Sequence, residues 1–181
     1  MKKIYIAGPD VFEPNSIQIG RDYVTLCKKY GFIGLYPLDN VVDFDQEKRK
    51  IAQDIYKANV ELIKQADIVI ANLNSFRGKE ADSGTVWECG YATALGKKVY
   101  GYMENEKTYI QTFKEDETKT TNGIKTDLDD KVIEDFDYPI NLMIACSIEK
   151  MIFGNFEDCL KEVNKWVWFQ QKVKMQKMHI I

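Results

Sequence analysis

The stretch Ile68-Val69-Ile70-Ala71, followed by a helical pattern over residues 84–95 and then by Lys98-Val99-Tyr100-Gly101-Tyr102, decides the fold. Four apolar residues in a row suit a strand covered on both faces, as in the middle of a parallel sheet. Gly84 to Leu95 reads as a helix, and Gly96 supplies the residue that stops it. A strand, a helix and a second strand with short links make a right-handed crossover between parallel neighbours. Toward the N-terminus the rhythm repeats. Lys3-Ile4-Tyr5-Ile6-Ala7 is a strand ended by Gly8-Pro9. Residues 16–30 carry Ile17, Tyr23, Val24, Cys27 and Tyr30 at helical spacing, closed by Gly31. Phe32 to Tyr36 is a second strand stopped by Pro37, and residues 47–65 form a helix with Ile51, Ile55, Leu62 and Ile63 along one side. The pattern predicts an α/β protein with a doubly wound, flavodoxin-like parallel sheet flanked by helices.

Beyond residue 102 the alternation breaks. Residues 103–137 are rich in Lys, Glu, Asp and Thr with little periodicity, which predicts an insertion or lid beside the site. Its acidic residues (Asp127, Asp129, Asp130, Glu134, Asp135, Asp137) read as a solvated face. Residues 139–153 and 155–177 read as two helices, the second with an apolar stripe of Leu160, Val163, Trp166 and Val167. With no repeat and no low-complexity linker, residues 1–181 are expected to form a single domain.

Composition narrows the function. The 181 residues include 45% hydrophobic and 29% charged side chains, and the formal net charge of -3 disfavours a phosphate-binding nucleic-acid protein. No apolar run approaches the ~20 residues that span a bilayer, and the N-terminus lacks the pattern of a signal peptide, so a cytoplasmic chain is expected. Cys27, Cys89, Cys146 and Cys159 lie far apart, and the one histidine, His179, is near the end. Zinc chemistry and a central catalytic histidine are therefore not indicated. Carboxylates, tyrosines and amides must carry any reaction.

Open parallel sheets bind ligands at the carboxyl ends of their strands. After the first strand come Gly8-Pro9-Asp10-Val11-Phe12; after the second, Pro37-Leu38-Asp39-Asn40; after the third, Asn72-Leu73-Asn74-Ser75-Phe76-Arg77-Gly78, leading to Asp82 and Glu88. Carboxylates from three loops thus converge on one edge. The first loop lacks the GxGxxG of a dinucleotide site, Asn72 and Asn74 stand where a phosphoacceptor receiver would want aspartate, and neither a Walker loop nor a nucleophile elbow is present. Glu88 lies in the opening turns of a helix kept small by Gly84, Gly90, Ala92, Ala94 and Gly96. The helix N-terminus should hold it ionised as a nucleophile; an exposed glutamate near a cap at Asp82 or Ser83 fits the spacing equally well. Asn59 shares a face with Ile55, Leu62 and Ile63, which points it inward, either as a tied core amide or as a ligand contact. Tyr5 is either a core aromatic or a hydroxyl aimed at Glu88.

Together these blocks resemble one family. Tyr5-Ile6-Ala7-Gly8-Pro9-Asp10-Val11-Phe12, Tyr36-Pro37-Leu38-Asp39, Ala66-Asp67 with Ile70-Ala71-Asn72-Leu73, Phe76-Arg77-Gly78, Asp82-Ser83-Gly84-Thr85-Val86-Trp87-Glu88-Cys89-Gly90-Tyr91-Ala92 and Pro139-Ile140-Asn141-Leu142-Met143 are similar, in order, to the nucleoside 2-deoxyribosyltransferases. The resemblance implies nucleoside salvage, in which a 2-deoxyribosyl group passes between purine or pyrimidine bases through a glycosyl-glutamate, without a cofactor and with retained configuration. By position, Glu88 matches the nucleophile and Tyr5 the tyrosine that holds it. Asp82 matches a residue for the sugar hydroxyls, and Phe12 one that flanks the base beside Gly8. Asn141 matches an asparagine that completes a neighbouring subunit's site, which implies a homo-oligomer of at least two chains. Where several members carry an aspartate that protonates the leaving base, this chain has Asn59, so that task falls to Asp10 or Asp39 or is dispensable for purines. The alternatives are an N-glycosidic hydrolase of deoxynucleosides or their 5′-monophosphates, and a nucleoside-binding protein without turnover.

Overall fold

A computed structural model describes residues 1–39 and 42–178; Asn40 and His179 lie outside the described residues. Five strands form a parallel sheet: β1 (Lys3–Ala7), β2 (Ile33–Leu35), β3 (Ile68–Asn72), β4 (Lys98–Met103) and, farther along the chain, β7 (Lys150–Phe153). Their order, β2-β1-β3-β4-β7, is that of a flavodoxin-like sheet, with its direction of winding reversing between β1 and β3. The crossovers run through α1 (Ser16–Lys29), α2 (Lys48–Gln65) and α3 (Ser83–Ala94). The doubly wound expectation holds.

Alternation along each strand builds two cores. Ile4, Ile6, Ile68, Ile70, Tyr100 and Tyr102 face α1 and the long C-terminal helix α5 (Phe156–Met178). Tyr5, Ala7, Val69, Ala71 and Val99 face the other way, toward Ile63 of α2 and Cys89 and Ala92 of α3. With strands buried on both sides, the continuous apolar run at 68–71 needs no polar alternation. The apolar stripe of α5 is spent on this sheet, with Leu160 and Val163 fully buried.

Local chemistry sets where helices stop. Gly31 and Gly96 adopt φ of +81° and +71°, and each ends its helix in a Schellman arrangement. Phe32 N–H returns to the Cys27 carbonyl at 2.9 Å, and Lys97 N–H to that of Ala92 at 3.0 Å. Both turns deliver the chain directly into the next strand.

Two segments differ from expectation. Residues 139–153, read as a helix, hold only the single turn α4 (Leu142–Ala145) and then β7, which extends the sheet beside β4. Four residues, Lys150-Met151-Ile152-Phe153, are too few to show a period, and sheet pairing overrides their helix-compatible pattern. Residues 103–137, read as irregular, contain an antiparallel hairpin, β5 (Thr118–Thr121) and β6 (Ile124–Asp127). Its turn uses Asn122 and Gly123, both at positive φ, the signature of a tight hairpin. This segment leans on the loop after β3, where Lys79 donates to Glu117 Oε2 at 2.8 Å and to the Thr112 carbonyl at 3.0 Å, and Tyr109 bonds Glu80.

Candidate active site

A cavity of about 570 Å³ opens beside the β1/β3 switch point, between the turn after β1 and the start of α3. One wall is polar: Asp82, Thr85 and Glu88 from α3 and its cap, with Asn59 from α2. The rest of the lining is mainly apolar, with Val11, Phe12, Ile17, Leu38, Phe44 and Ile55. A pocket of that size and mixed lining suits a small molecule with both polar and apolar parts.

The polar wall is organised by α3. Asp82 is its N-cap, and Asp82 Oδ2 accepts from the backbone N–H and the hydroxyl of Thr85, each at 2.9 Å. Of the two candidate caps in the sequence, Asp82 is therefore the one used. Glu88 follows in the second turn, past the reach of the helix-terminal dipole. The Tyr5 hydroxyl donates to Glu88 Oε1 at 2.6 Å, from a side chain fully buried beneath the sheet edge.

The charge state of Glu88 departs from the expectation of a securely ionised group. Burial pushes its carboxyl up to about 7; the Tyr5 hydrogen bond opposes that shift, and the Asp82 charge adds to it. Tyr5 itself is pushed far above its ordinary range, by burial first and by the Glu88 carboxylate second, so it stays protonated and keeps donating. Burial thus makes the Glu88 carboxylate more basic, while the Tyr5 hydrogen bond favours its charged form.

The structure gathers some expected residues and scatters others. Tyr5, Glu88, Asp82, Asn59, Phe12 and Gly8 meet at or against the cavity. Gly8 must stay small: a Cβ there would stand 2.8 Å from the Asn72 Cβ on the neighbouring strand. Asp10 is elsewhere. It lines a smaller cleft of about 350 Å³ on the α5 side of the sheet edge. Asp39 ends a 3-10 turn, exposed and outside the cavity, while its neighbours Pro37 and Leu38 line it. Of the carboxylates from three loops, only those of the third reach the cavity. Asn141 caps α4, accepting from Met143 N–H at 3.0 Å and donating to Glu134 Oε1 at 2.6 Å, and it is not part of this cavity's lining.

Apart from Phe12, sequence reasoning missed the apolar lining. Ile17 looked like a core residue of α1 but is 63% exposed and faces the cavity. Phe44 also lines it, and a lone aromatic in a polar loop is the signal for it in the sequence. Phe12, 57% exposed, stacks on Phe76 with ring centres 5.3 Å apart. The Arg77 guanidinium lies over both rings, 4.6 Å from the centre of Phe76 and 5.4 Å from that of Phe12. No group of three or more metal-ligating side chains occurs among the described residues.

A family model for nucleoside 2-deoxyribosyltransferase matches residues 4–143, a span that includes the Tyr5–Glu88 pair and the Asp82 cap. The chain belongs to the nucleoside 2-deoxyribosyltransferase family. A solved 2-deoxyribosyltransferase from Leishmania mexicana is 30% identical, with a TM-score of 0.73 over 91% of this chain and 98% of that one. The 2-deoxyribosyltransferase of Bacillus psychrosaccharolyticus shares the fold at 22% identity and a TM-score of 0.57, over 86% of this chain and 88% of that chain. A conserved protein from Enterococcus faecalis V583 does so at 22% and 0.58, over 91% and 98%. An uncharacterized protein of Schizosaccharomyces pombe is 29% identical over 109 residues, 59% of this chain. That match covers 52% of the yeast protein, so the chain spans about half the length of the curated relative it matches. No described helix of this family member is long and apolar enough to cross a membrane.

Proposed function

We propose that the protein is a nucleoside 2-deoxyribosyltransferase, moving a 2-deoxyribosyl group from a 2′-deoxynucleoside to a free nucleobase. The observation that carries this reading is the part-buried Glu88 held by the Tyr5 hydroxyl at 2.6 Å, lining the same cavity as Asp82 and a set of apolar side chains. The free Glu88 oxygen attacks C1′ as the bond to the base breaks, and the base departs with that electron pair and takes up a proton. A nitrogen of the second base then attacks C1′, loses its proton, and releases the carboxylate. Two inversions retain the β configuration. Asp82 engages the sugar hydroxyls and Phe12 flanks the base. Asn59, an amide, can orient the base but cannot protonate it.

An Asn141 from a second chain would complete the site, making the active unit a homo-oligomer. Support comes from its place on an exposed turn beside α3, next to Met143, which is 72% exposed. The chain is read as one domain in which the 103–137 insertion buttresses the loop after β3 and, through Glu134, the Asn141 turn. The free cysteines fit a cytoplasmic setting for nucleoside salvage.

Incubation of the protein with deoxyinosine and adenine, without phosphate, should yield deoxyadenosine. Glu88→Ala should reduce that yield by roughly 10³-fold or more, as expected for loss of a nucleophile. Release of free deoxyribose at a rate indifferent to added base would instead make the protein a hydrolase. Binding without either product would make it a nucleoside-binding protein.

A further inference from the structure

The turn after β1 supplies Gly8, Val11 and Phe12 to the cavity, yet its one charged side chain turns away from it. Asp10 Oδ2 accepts from Asn72 Nδ2 at 3.0 Å, and Asp10 Oδ1 accepts from the Tyr23 hydroxyl at 3.2 Å. Asn72, the last residue of β3, is tied in turn. Its Oδ1 accepts from the backbone N–H and the side-chain amide of Asn74, at 3.1 and 2.8 Å. Asn74 Oδ1 accepts from Glu104 N–H at 2.9 Å. A continuous polar ladder therefore crosses the carboxyl ends of β1, β3 and β4, and Asp10 is its terminal acceptor.

The same turn is held from outside by the stack of Phe12 on Phe76 under Arg77. Gly8 lets the two strand ends close to a separation at which no Cβ fits. The turn is thus clamped at its root, through Asp10, and at its tip, through Phe12. We propose that Asp10 is a positioning residue: through Asn72 it fixes the height of the Gly8–Phe12 turn and so the width of the slot that receives the nucleobase. This rests on the reading of the cavity as a nucleoside site. It also removes Asp10 from the proton chemistry. Both of its oxygens are engaged, and it faces the other cleft, so reaching a base would cost both hydrogen bonds.

A slot that holds the base equally in ground and transition states affects KM rather than kcat. The test measures KM, kcat and the pH profile of exchange, with a melting temperature for each variant. The variants are Asp10→Ala, Asn72→Asp and the double variant Asp10→Asn with Asn72→Asp. In the double variant amide and carboxylate trade places, so a donor still meets an acceptor across the same gap and Tyr23 still finds an oxygen. Asp10→Ala and Asn72→Asp should raise KM for donor and acceptor about tenfold at nearly constant kcat, the loss expected for one charge-assisted hydrogen bond. The double variant should return KM to within about threefold of the parent, and every pH profile should keep its shape.

A folded Asp10→Ala protein with unchanged KM, even at a lowered melting temperature, overturns the proposal. So does a loss of kcat and of one limb of the pH profile that the double variant fails to restore, since Asp10 would then be moving a proton. If the parent protein itself exchanges no bases, the functional reading fails, and the Asp10 proposal goes with it. Parent turnover with an unmoved KM isolates the failure to Asp10. Should Asn72→Asp not fold, Asp10→Ala and the double variant carry the same comparison.

Discussion

The Glu88 carboxyl has an ordinary value near 4.5 and is pushed up to about 7 in the folded chain, chiefly by burial. Between those values the folded state binds more protons than the unfolded one, so stability falls as pH rises through that window. The implied penalty at pH 8 is about 3 kcal/mol. Glu88→Gln should therefore unfold later than the parent at pH 8, by up to about 3 kcal/mol in urea titrations, with the difference vanishing below the unfolded value. With Glu88 as the proposed nucleophile, exchange activity should fall as pH drops through about 7. Tyr5→Phe removes the bond that lowers the Glu88 value, so the acidic limb of its kcat profile should move to higher pH. The two residues were legible in the sequence only as a suspected pair. Nothing in a one-dimensional string shows how much water the fold strips from a side chain, so the upward shift of Glu88 is not legible there. Asp10 shows the same limit: its position after β1 was plain, but the partners that turn it away are Asn72, 62 residues on, and Tyr23.

Elements were readable where their signals were local. The strand at 68–71, the helices closed by Gly31 and Gly96, and a cap at Asp82 or Ser83 all follow from residues within one turn of each other. β7 was not, because four residues carry no period and only the free edge of β4 makes them a strand. Packing between elements escapes sequence for the same reason, and Gly20 is an example. An added Cβ on this α1 residue would stand 2.3–2.4 Å from the ring of Tyr36, which is 2% exposed and has no room to swing. Helix propensity alone favours Gly20→Ala by about 1 kcal/mol, but overpacking costs about 1–3 kcal/mol. With the rigid Tyr36 ring in the way the clash should win, lowering stability by up to about 2 kcal/mol in chemical denaturation. Since Ser16 and Ile17 at the start of the same helix border the cavity, a shifted α1 should also weaken nucleoside binding.

At the scale of the molecule, assembly is the open term. If the partner chain's Asn141 completes each site, mixing inactive Glu88→Ala protein with inactive Asn141→Ala protein should restore activity, because some mixed sites then have both groups. Exchange assays on the mixture, after subunits have been allowed to re-equilibrate, check this; activity no greater than the sum of the separate proteins refutes shared sites. Sequence could raise this only through resemblance, since within its own chain Asn141 does no more than cap a turn and bond Glu134. The long excursion between β4 and β7 bears on how the protein is made. Residues 104–149 must all emerge before the last strand can dock. Until then the growing chain exposes the backbone amides and carbonyls of β4 along an open border, a template for unwanted pairing with other nascent chains. The hairpin-bearing insert therefore prolongs the interval in which that border stands open, and the docking of β7 closes it.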